Sequence, residues 1–108
     1  MSPIPVPTPT ETLEQRVQRL LERWRAEIAH VSSSTQITGH PAYQELISLG
    51  TPVLPILFRD LEQTRDGHLA KALAAITGAR PVAPEDRGRV GKVADTWLAW
   101  AREQGYRW

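Results

Sequence analysis

The first third of the chain alternates apolar and polar residues at helical spacing. Between residues 12 and 31 most apolar positions are three or four apart, and at about 100° per residue they fall on one narrow face. Thr12 and Gln15 stand at the start of this segment as in a capping box, which satisfies the first free amides of a helix. The pattern therefore predicts an amphipathic helix, whose apolar face comprises Leu13, Val17, Leu20, Leu21, Trp24, Ile28 and Val31.

Helix stops and starts follow each other closely in the middle of the chain. Residues 32–35 are Ser, Ser, Ser and Thr, whose side chains compete for backbone hydrogen bonds, so we expect them to end the first helix. Pro41 suits the first position of a new helix, because that position needs no amide hydrogen. Gly50 fits a left-handed helix end, and Thr51 and Pro52 repeat the start signal as N-cap and first helical residue. The sequence thus predicts one helix before Gly50 and another after it.

Two further helices complete the predicted fold. Residues 69–78 combine an apolar face with several alanines, which suit close approach to a neighbouring helix, and Gly78 ends the segment. After a proline-containing loop, the last helix is predicted at about residues 87–104, and Gly105 ends it. No segment sustains period-two alternation, so no strands are expected. The sequence therefore predicts an all-α fold of about five helices.

The N-terminus differs in composition from the rest of the chain. Prolines occupy positions 3, 5, 7 and 9, and each fixes its own φ and disfavours a helical predecessor. Residues 1–11 are therefore predicted to form a disordered, Pro-rich tail. Residues 12–108 are predicted to form a single helical domain, since a chain of 108 residues has the length of one domain.

The centre of the chain contains an ordered series of helix signals. Residues 46–50 precede a tight turn, residues 52–61 form a first helix with Pro55 inside it, and residues 69–78 form a second helix. This series resembles one HEAT-type helical repeat, together with the end of a preceding helix. The wider pattern of HPAYQ, AITG and WLAW resembles small bacterial helical proteins of uncharacterised function. The resemblance implies a bacterial origin and a HEAT-like helical hairpin, covered by the N-terminal amphipathic helix and the C-terminal Trp-bearing helix; it implies no activity.

Composition narrows the classes of function. The 13 Lys and Arg nearly balance the 12 Asp and Glu, and a net charge of +1 gives the whole surface no strong field for nucleic acid or membrane. Without cysteine the chain has no disulfide, thiolate metal site or cysteine nucleophile. No apolar run approaches the roughly 18 residues of a membrane span, and the N-terminus lacks a signal-peptide pattern. We therefore expect a cytoplasmic protein that does not enter a membrane.

Residues that commonly carry catalysis or bind metals occur without the spacing that such chemistry needs. His30, His40 and His68 lie too far apart for a zinc motif, and the acidic residues form no paired-carboxylate motif. Gly91 and Lys92 are not followed by the Ser or Thr of a phosphate loop. The sequence therefore predicts no catalytic residue, cofactor or metal, and the protein is expected not to be an enzyme.

Basic residues form two candidate binding surfaces. Arg16, Arg19 and Arg23 follow i, i+3, i+7 spacing and line one flank of the first helix, where they suit an acidic protein or phosphates. The alternative is that neighbouring carboxylates pair with this row, since Glu27 lies four positions after Arg23. A second cluster surrounds the loop and the start of the last helix, and it comprises Arg80, Arg87, Arg89 and Lys92.

Aromatic and basic residues also gather at the C-terminus. Such mixtures favour protein interfaces, but an aromatic tail can equally fold back and seal a small core. Both roles are open for this group, which comprises Trp100, Arg102, Tyr106, Arg107 and Trp108.

These observations predict a non-enzymatic protein–protein interaction module, either an adaptor or a neutralising, antitoxin-like partner subunit. It is expected to bind another protein through Arg16, Arg19 and Arg23 or through the C-terminal aromatic group, and homo-oligomers are compatible with this prediction. The alternative is a nucleic-acid-binding accessory protein that uses its Arg-rich helix flanks, with Arg87, Arg89 and Lys92 as additional contacts.

Overall fold

The regular structure of the chain is helical. A computed structural model describes residues 11–86 and 88–108, apart from the side chains at positions 34 and 90. Within this part of the chain there is no strand, and the all-α prediction is confirmed for it. Its helices are α1 (Leu13–Ile28), α2 (Ser34–Thr38), α3 (Pro41–Ser48), α4 (Leu54–Thr64), α5 (Leu69–Thr77) and α6 (Val90–Glu103), with 3-10 turns at Thr51–Val53 and Pro84–Asp86.

Two parts of the predictions fall beyond this description. The predicted tail lies outside the described residues except for Glu11, and Arg87 of the second basic cluster also lies outside them. Among the described residues, no helix is long and apolar enough to cross a bilayer.

Most helix ends follow the local signals in the sequence. The capping box at α1 is present, because Gln15 N–H donates to Thr12 Oγ1 and Thr12 N–H donates to Gln15 Oε1, each at 3.0 Å. Pro41 begins α3 as predicted, and the Nδ1 of His40 caps that helix by accepting the Ala42 N–H at 3.0 Å. Gly78 ends α5 in the left-handed conformation with φ 75°.

Three boundaries differ from the prediction. The first helix ends at Ile28, before the serines that were predicted to end it, and Ser33 Oγ caps the short helix α2 by accepting the Gln36 N–H at 3.4 Å. Thr51 lies inside a 3-10 turn and does not cap a helix. In this turn the Val53 N–H donates to the Gly50 carbonyl oxygen, and the Leu54 N–H donates to the Thr51 carbonyl oxygen. The last helix starts at Val90, since residues 84–86 form a separate 3-10 turn.

The helices pack against one another around one core. α1 lies against α3, α3 against α5, and α4 against both α5 and α6. α1 therefore packs mainly on α3, whereas α6 packs on α4 and α5, the two helices of the predicted hairpin. The core is formed mainly by Val17, Leu20, Leu21, Trp24, Tyr43, Leu46, Leu54, Leu57, Phe58, Leu61, Leu69, Leu73, Trp97 and Leu98.

A half-buried ion-pair cluster joins α1 to the end of α4. The Arg25 guanidinium donates to both carboxylate oxygens of Asp60, at 3.1 and 2.6 Å, and to Asp66 Oδ2 at 3.2 Å. Only 9% of the Asp60 side chain is exposed, and the Thr64 hydroxyl donates to it as well. The pKa of Arg25 is raised, and the largest cause is its hydrogen bond to Asp60. These contacts fix how α1 sits beside α4.

Candidate functional site

Each arginine of the row on α1 faces a carboxylate of the same chain. The hydrogen bond from Arg19 lowers the pKa of Glu11, and hydrogen bonds from His40 and Arg23 lower the pKa of Glu27. The side chains of the row remain about half exposed, so a partner could reach them only in competition with these carboxylates. The pairs are Arg16–Glu45 at 2.9 Å, Arg19–Glu11 at 2.7 Å and Arg23–Glu27 at 3.0 Å.

The C-terminal aromatic side chains fold back onto α4 and α6. Gly105 adopts φ 90° and reverses the chain after α6, which places the rings of Tyr106 and Trp108 each 5.4 Å from the ring of Phe58. The Trp100 ring lies edge-on to Trp97 at 5.5 Å and stacks on Tyr106 at 6.1 Å. In this arrangement the aromatic tail packs against the core.

A polar clasp holds the end of this tail. Glu62 of α4 accepts hydrogen bonds from Arg102 at 2.6 Å and from the Trp108 indole at 3.2 Å. The Arg102 guanidinium also lies 4.9 Å from the centre of the Trp108 ring. Arg107 is exposed and forms no ion pair with a described residue. Of the five residues in the predicted C-terminal group, Arg107 is therefore the freest.

A groove beside α6 is lined by residues that are distant in the sequence. It has a volume of about 450 Å³, within the range of ligand pockets, and it lies between α5, the segment that follows α5, and α6. Val93 and Trp97 form its floor and are 5% and 2% exposed. The remaining described lining residues are Gly67, Ala70, Lys71, Ala74, Arg80, Pro81 and Val82.

Two cations of this groove have no acidic partner among the residues that the structure describes. Lys71 and Arg80 line the groove, are exposed, and form no ion pair with a described residue. Arg89 and Lys92, at the start of α6, are likewise exposed without such a pair. In contrast, an ion pair with Asp or Glu is made by Arg16, Arg19, Arg23, Arg25, Arg59, Arg65 and Arg102.

The groove offers apolar and cationic surface to a ligand, but its described lining contains no arrangement of side chains typical of catalysis. Its side chains are aliphatic or aromatic, apart from one ammonium and one guanidinium group. Such a site suits an anion joined to an apolar body, since the cations attract charge and the floor removes apolar surface from water. No group of His, Asp or Glu side chains suited to a metal ion occurs among the described residues.

Sequence reasoning gave no site role to Lys71, and it included Arg80 only in the second basic cluster. A local signal was present for Lys71, because the positions three and four residues away on either side hold no Asp or Glu. The groove itself could not be found that way, because Trp97 meets α5 only in the folded chain. Trp97 belongs to the core and also lines the groove.

Comparisons with known proteins contribute no further assignment. No protein-family model, curated protein or solved structure matches the chain.

Proposed function

We propose that the protein is a non-enzymatic protein–protein interaction module whose docking face is the groove between α5 and α6. The observation that carries this proposal is the combination of an apolar floor with two unpaired cations, Lys71 and Arg80. The proposed occupant is an acidic segment of a partner protein. Unpaired cations beside an apolar groove select such a segment by charge and bind it by burial of apolar surface.

The two surfaces predicted from the sequence are less suitable docking faces. A partner at the row on α1 would have to displace Glu11, Glu27 and Glu45, and exchanging one exposed ion pair for another gives little affinity. A partner that bound the C-terminal rings would have to detach them from Phe58 and Glu62. The groove requires neither rearrangement.

Site-specific photo-crosslinking in cells of the source organism tests this proposal. A photoreactive amino acid at Ala75, which is exposed beside the groove, is expected to give a discrete protein adduct. The same probe at Glu22, which is exposed on α1, is the matched control and is expected not to give that adduct. The adduct at Ala75 should disappear in the charge-reversed variant Lys71→Glu/Arg80→Glu. An adduct that persists in this variant, or no groove-specific adduct, contradicts the proposal.

The same proposal includes the type of module, its HEAT-type fold and its location in the cell. An adaptor or antitoxin-like subunit is supported by the groove, which suits a single partner segment. A HEAT-type unit is supported by the contact of α4 with α5, by Pro55 in the first turn of α4 and by Gly78 at the end of α5. A cytoplasmic location is supported by the absence of cysteine, and cell fractionation tests it.

A second candidate function is binding of nucleic acid at the start of α6. Arg89 and Lys92 favour it, because both are exposed and neither forms an ion pair with a described residue. The test is a titration of labelled single-stranded RNA and duplex DNA at several salt concentrations. This function requires an affinity that falls steeply with salt and weakens in Arg89→Ala/Lys92→Ala. Salt-independent or absent binding excludes it.

A further inference from the structure

We infer that the occupant of the groove is an amphipathic acidic helix that lies along α5. This inference rests on the proposed function and specifies the partner at the same site. It is carried by the small residues of α5, by the shape of the groove floor and by the position of the unpaired cations.

Apart from Lys71, the side of α5 that faces the groove is lined by small residues. Ala70 and Ala74 lie one turn apart and line the groove, and Gly67 continues the same line before the helix begins. Ala75 beside them is exposed. Helix axes approach most closely where the side chains between them are small, so this side can accept a second helix at short distance. An extended peptide has less need of such a surface.

The groove floor offers a row of apolar contacts beside α5. Val82, Val93 and Trp97 provide its aliphatic and aromatic surface, and about 450 Å³ accommodates a few aliphatic side chains. A helix presents such side chains at positions i, i+3 or i+4, and i+7, which is the recurring mode of helix-in-groove recognition. The apolar face of the partner helix would therefore pack on the half-buried Ala70, Ala74, Pro81 and Val82, above the buried Val93 and Trp97.

The unpaired cations specify the polar edge of that helix. Lys71 and Arg80 both line the groove, so carboxylates that flank the apolar face of a bound helix can reach them. A basic helix would meet repulsion at the same two positions, which gives discrimination against it. A free fatty acid has the required charge and apolar body, but it has no need of the small-residue surface of α5.

Synthetic peptides test the inference on the full chain. The probes are three labelled peptides of about 15 residues: one with Leu at helical spacing flanked by Glu, one with the same Leu positions flanked by Lys, and one with the acidic composition scrambled. Fluorescence anisotropy is expected to detect binding of the first peptide alone. In Lys71→Glu/Arg80→Glu its affinity should fall by at least about tenfold, and the Lys-flanked peptide should now bind better. The matched control Arg107→Glu, at an exposed and unpaired arginine, should change neither affinity.

Three outcomes overturn the inference. They are equal binding of the scrambled acidic peptide, no binding of the acidic amphipathic peptide at about 1 mM, or unchanged peptide preference after charge reversal. Binding of a labelled fatty acid without binding of the peptide overturns it in favour of a lipid ligand. Far-UV circular dichroism of each variant verifies that the fold is retained. If a groove-dependent protein adduct forms at Ala75 while the peptides fail, the proposed function survives and only the helical acidic partner is rejected.

Discussion

The arginine row of α1 and the groove between α5 and α6 both carry clustered positive charge, but they differ in what that charge already contacts. Each arginine of the row faces a carboxylate within 3.0 Å, whereas Lys71 and Arg80 form no ion pair with a described residue. The row also lies on an exposed helix flank, whereas the groove cations stand beside the buried Val93 and Trp97. A cation is available to a partner only when its own chain has not neutralised it, and it contributes most beside apolar surface.

The largest effect is expected at Arg25, which is paired like the row but half buried. Asp60→Ala removes its main partner and leaves the guanidinium with Asp66 at the edge of the core. Because 32% of the Arg25 side chain is exposed, we expect the free energy of unfolding to fall by about 2–3 kcal/mol, below the loss for a fully buried pair. Urea denaturation measures this loss. A change as small as that of Arg107→Ala would mean that burial does not distinguish Arg25 from the row.

The next effect distinguishes the two roles predicted for the C-terminal aromatic residues, which are to seal the core or to form a protein interface. Trp108→Ala removes a ring that packs on Phe58 and a donor to Glu62, so the free energy of unfolding is expected to fall by about 2 kcal/mol. Trp108→Phe keeps the packing and loses only the hydrogen bond, so it should cost about half as much. Thermal and urea denaturation of both variants check this order. Unchanged stability of Trp108→Ala would favour a ring that serves an interface.

A smaller effect is expected at Tyr43 of α3. This helix packs against α1, which carries the arginine row, and against α5, which lines the groove. The Tyr43 hydroxyl donates to the His68 carbonyl oxygen at 2.6 Å, directly before α5. Tyr43→Phe leaves that oxygen without this donor and should lower the free energy of unfolding by about 1–2 kcal/mol at neutral pH.

The same residue gives a dependence on alkaline pH. Burial raises the pKa of Tyr43, so the folded state holds the phenol proton more tightly than the unfolded chain does. Its contribution is therefore complete below about pH 10, the pKa of an unfolded tyrosine, and decreases as pH rises above that value. The stability difference between the wild type and Tyr43→Phe should stay the same up to about pH 10 and shrink as the pH rises above that value in urea titrations. A constant difference would contradict this reasoning.

The smallest effect is expected in the row itself. Arg16 and Glu45 are 46% and 38% exposed, so Arg16→Ala should lower the free energy of unfolding by less than about 1 kcal/mol. Salt of about 1 M screens exposed charges and should reduce even this difference. Denaturation of the wild type and variant at low and high salt measures both values. A loss comparable to that of Asp60→Ala would show that the row is a structural element rather than a set of surface pairs.

Local signals in the sequence were sufficient for much of the fold. The Thr12–Gln15 capping box, Pro41 and Gly78 act within one helical turn, so their neighbours in sequence are also their partners in space. The short helix α2 was missed because serine favours both helix starts and helix interruption. Its position also depends on a tertiary contact, in which the buried Trp24 indole donates to the Ile37 carbonyl oxygen at 2.8 Å.

The candidate site was less predictable, because charge in a sequence does not reveal its partners in space. Arg16 of α1 pairs with Glu45 of α3, and Arg102 of α6 pairs with Glu62 of α4. Spacing along one helix could not predict either pair, because the two partners lie on different helices. The groove required Trp97 to be brought against α5 by the packing of α6. Helical periodicity places Trp97 on the apolar face of the last helix, but it cannot show that one side of Trp97 borders a groove.

The most direct test of the docking face compares matched double substitutions in the two regions. The measured quantity is the yield of the protein adduct at an Ala75 photo-crosslinker in Lys71→Ala/Arg80→Ala and in Arg16→Ala/Arg23→Ala, with folding verified by circular dichroism. We predict a yield reduced by about tenfold in the groove variant and by less than about twofold in the row variant. Equal losses, or a larger loss from the row, would contradict the claim that the unpaired cations of the groove mark the docking face.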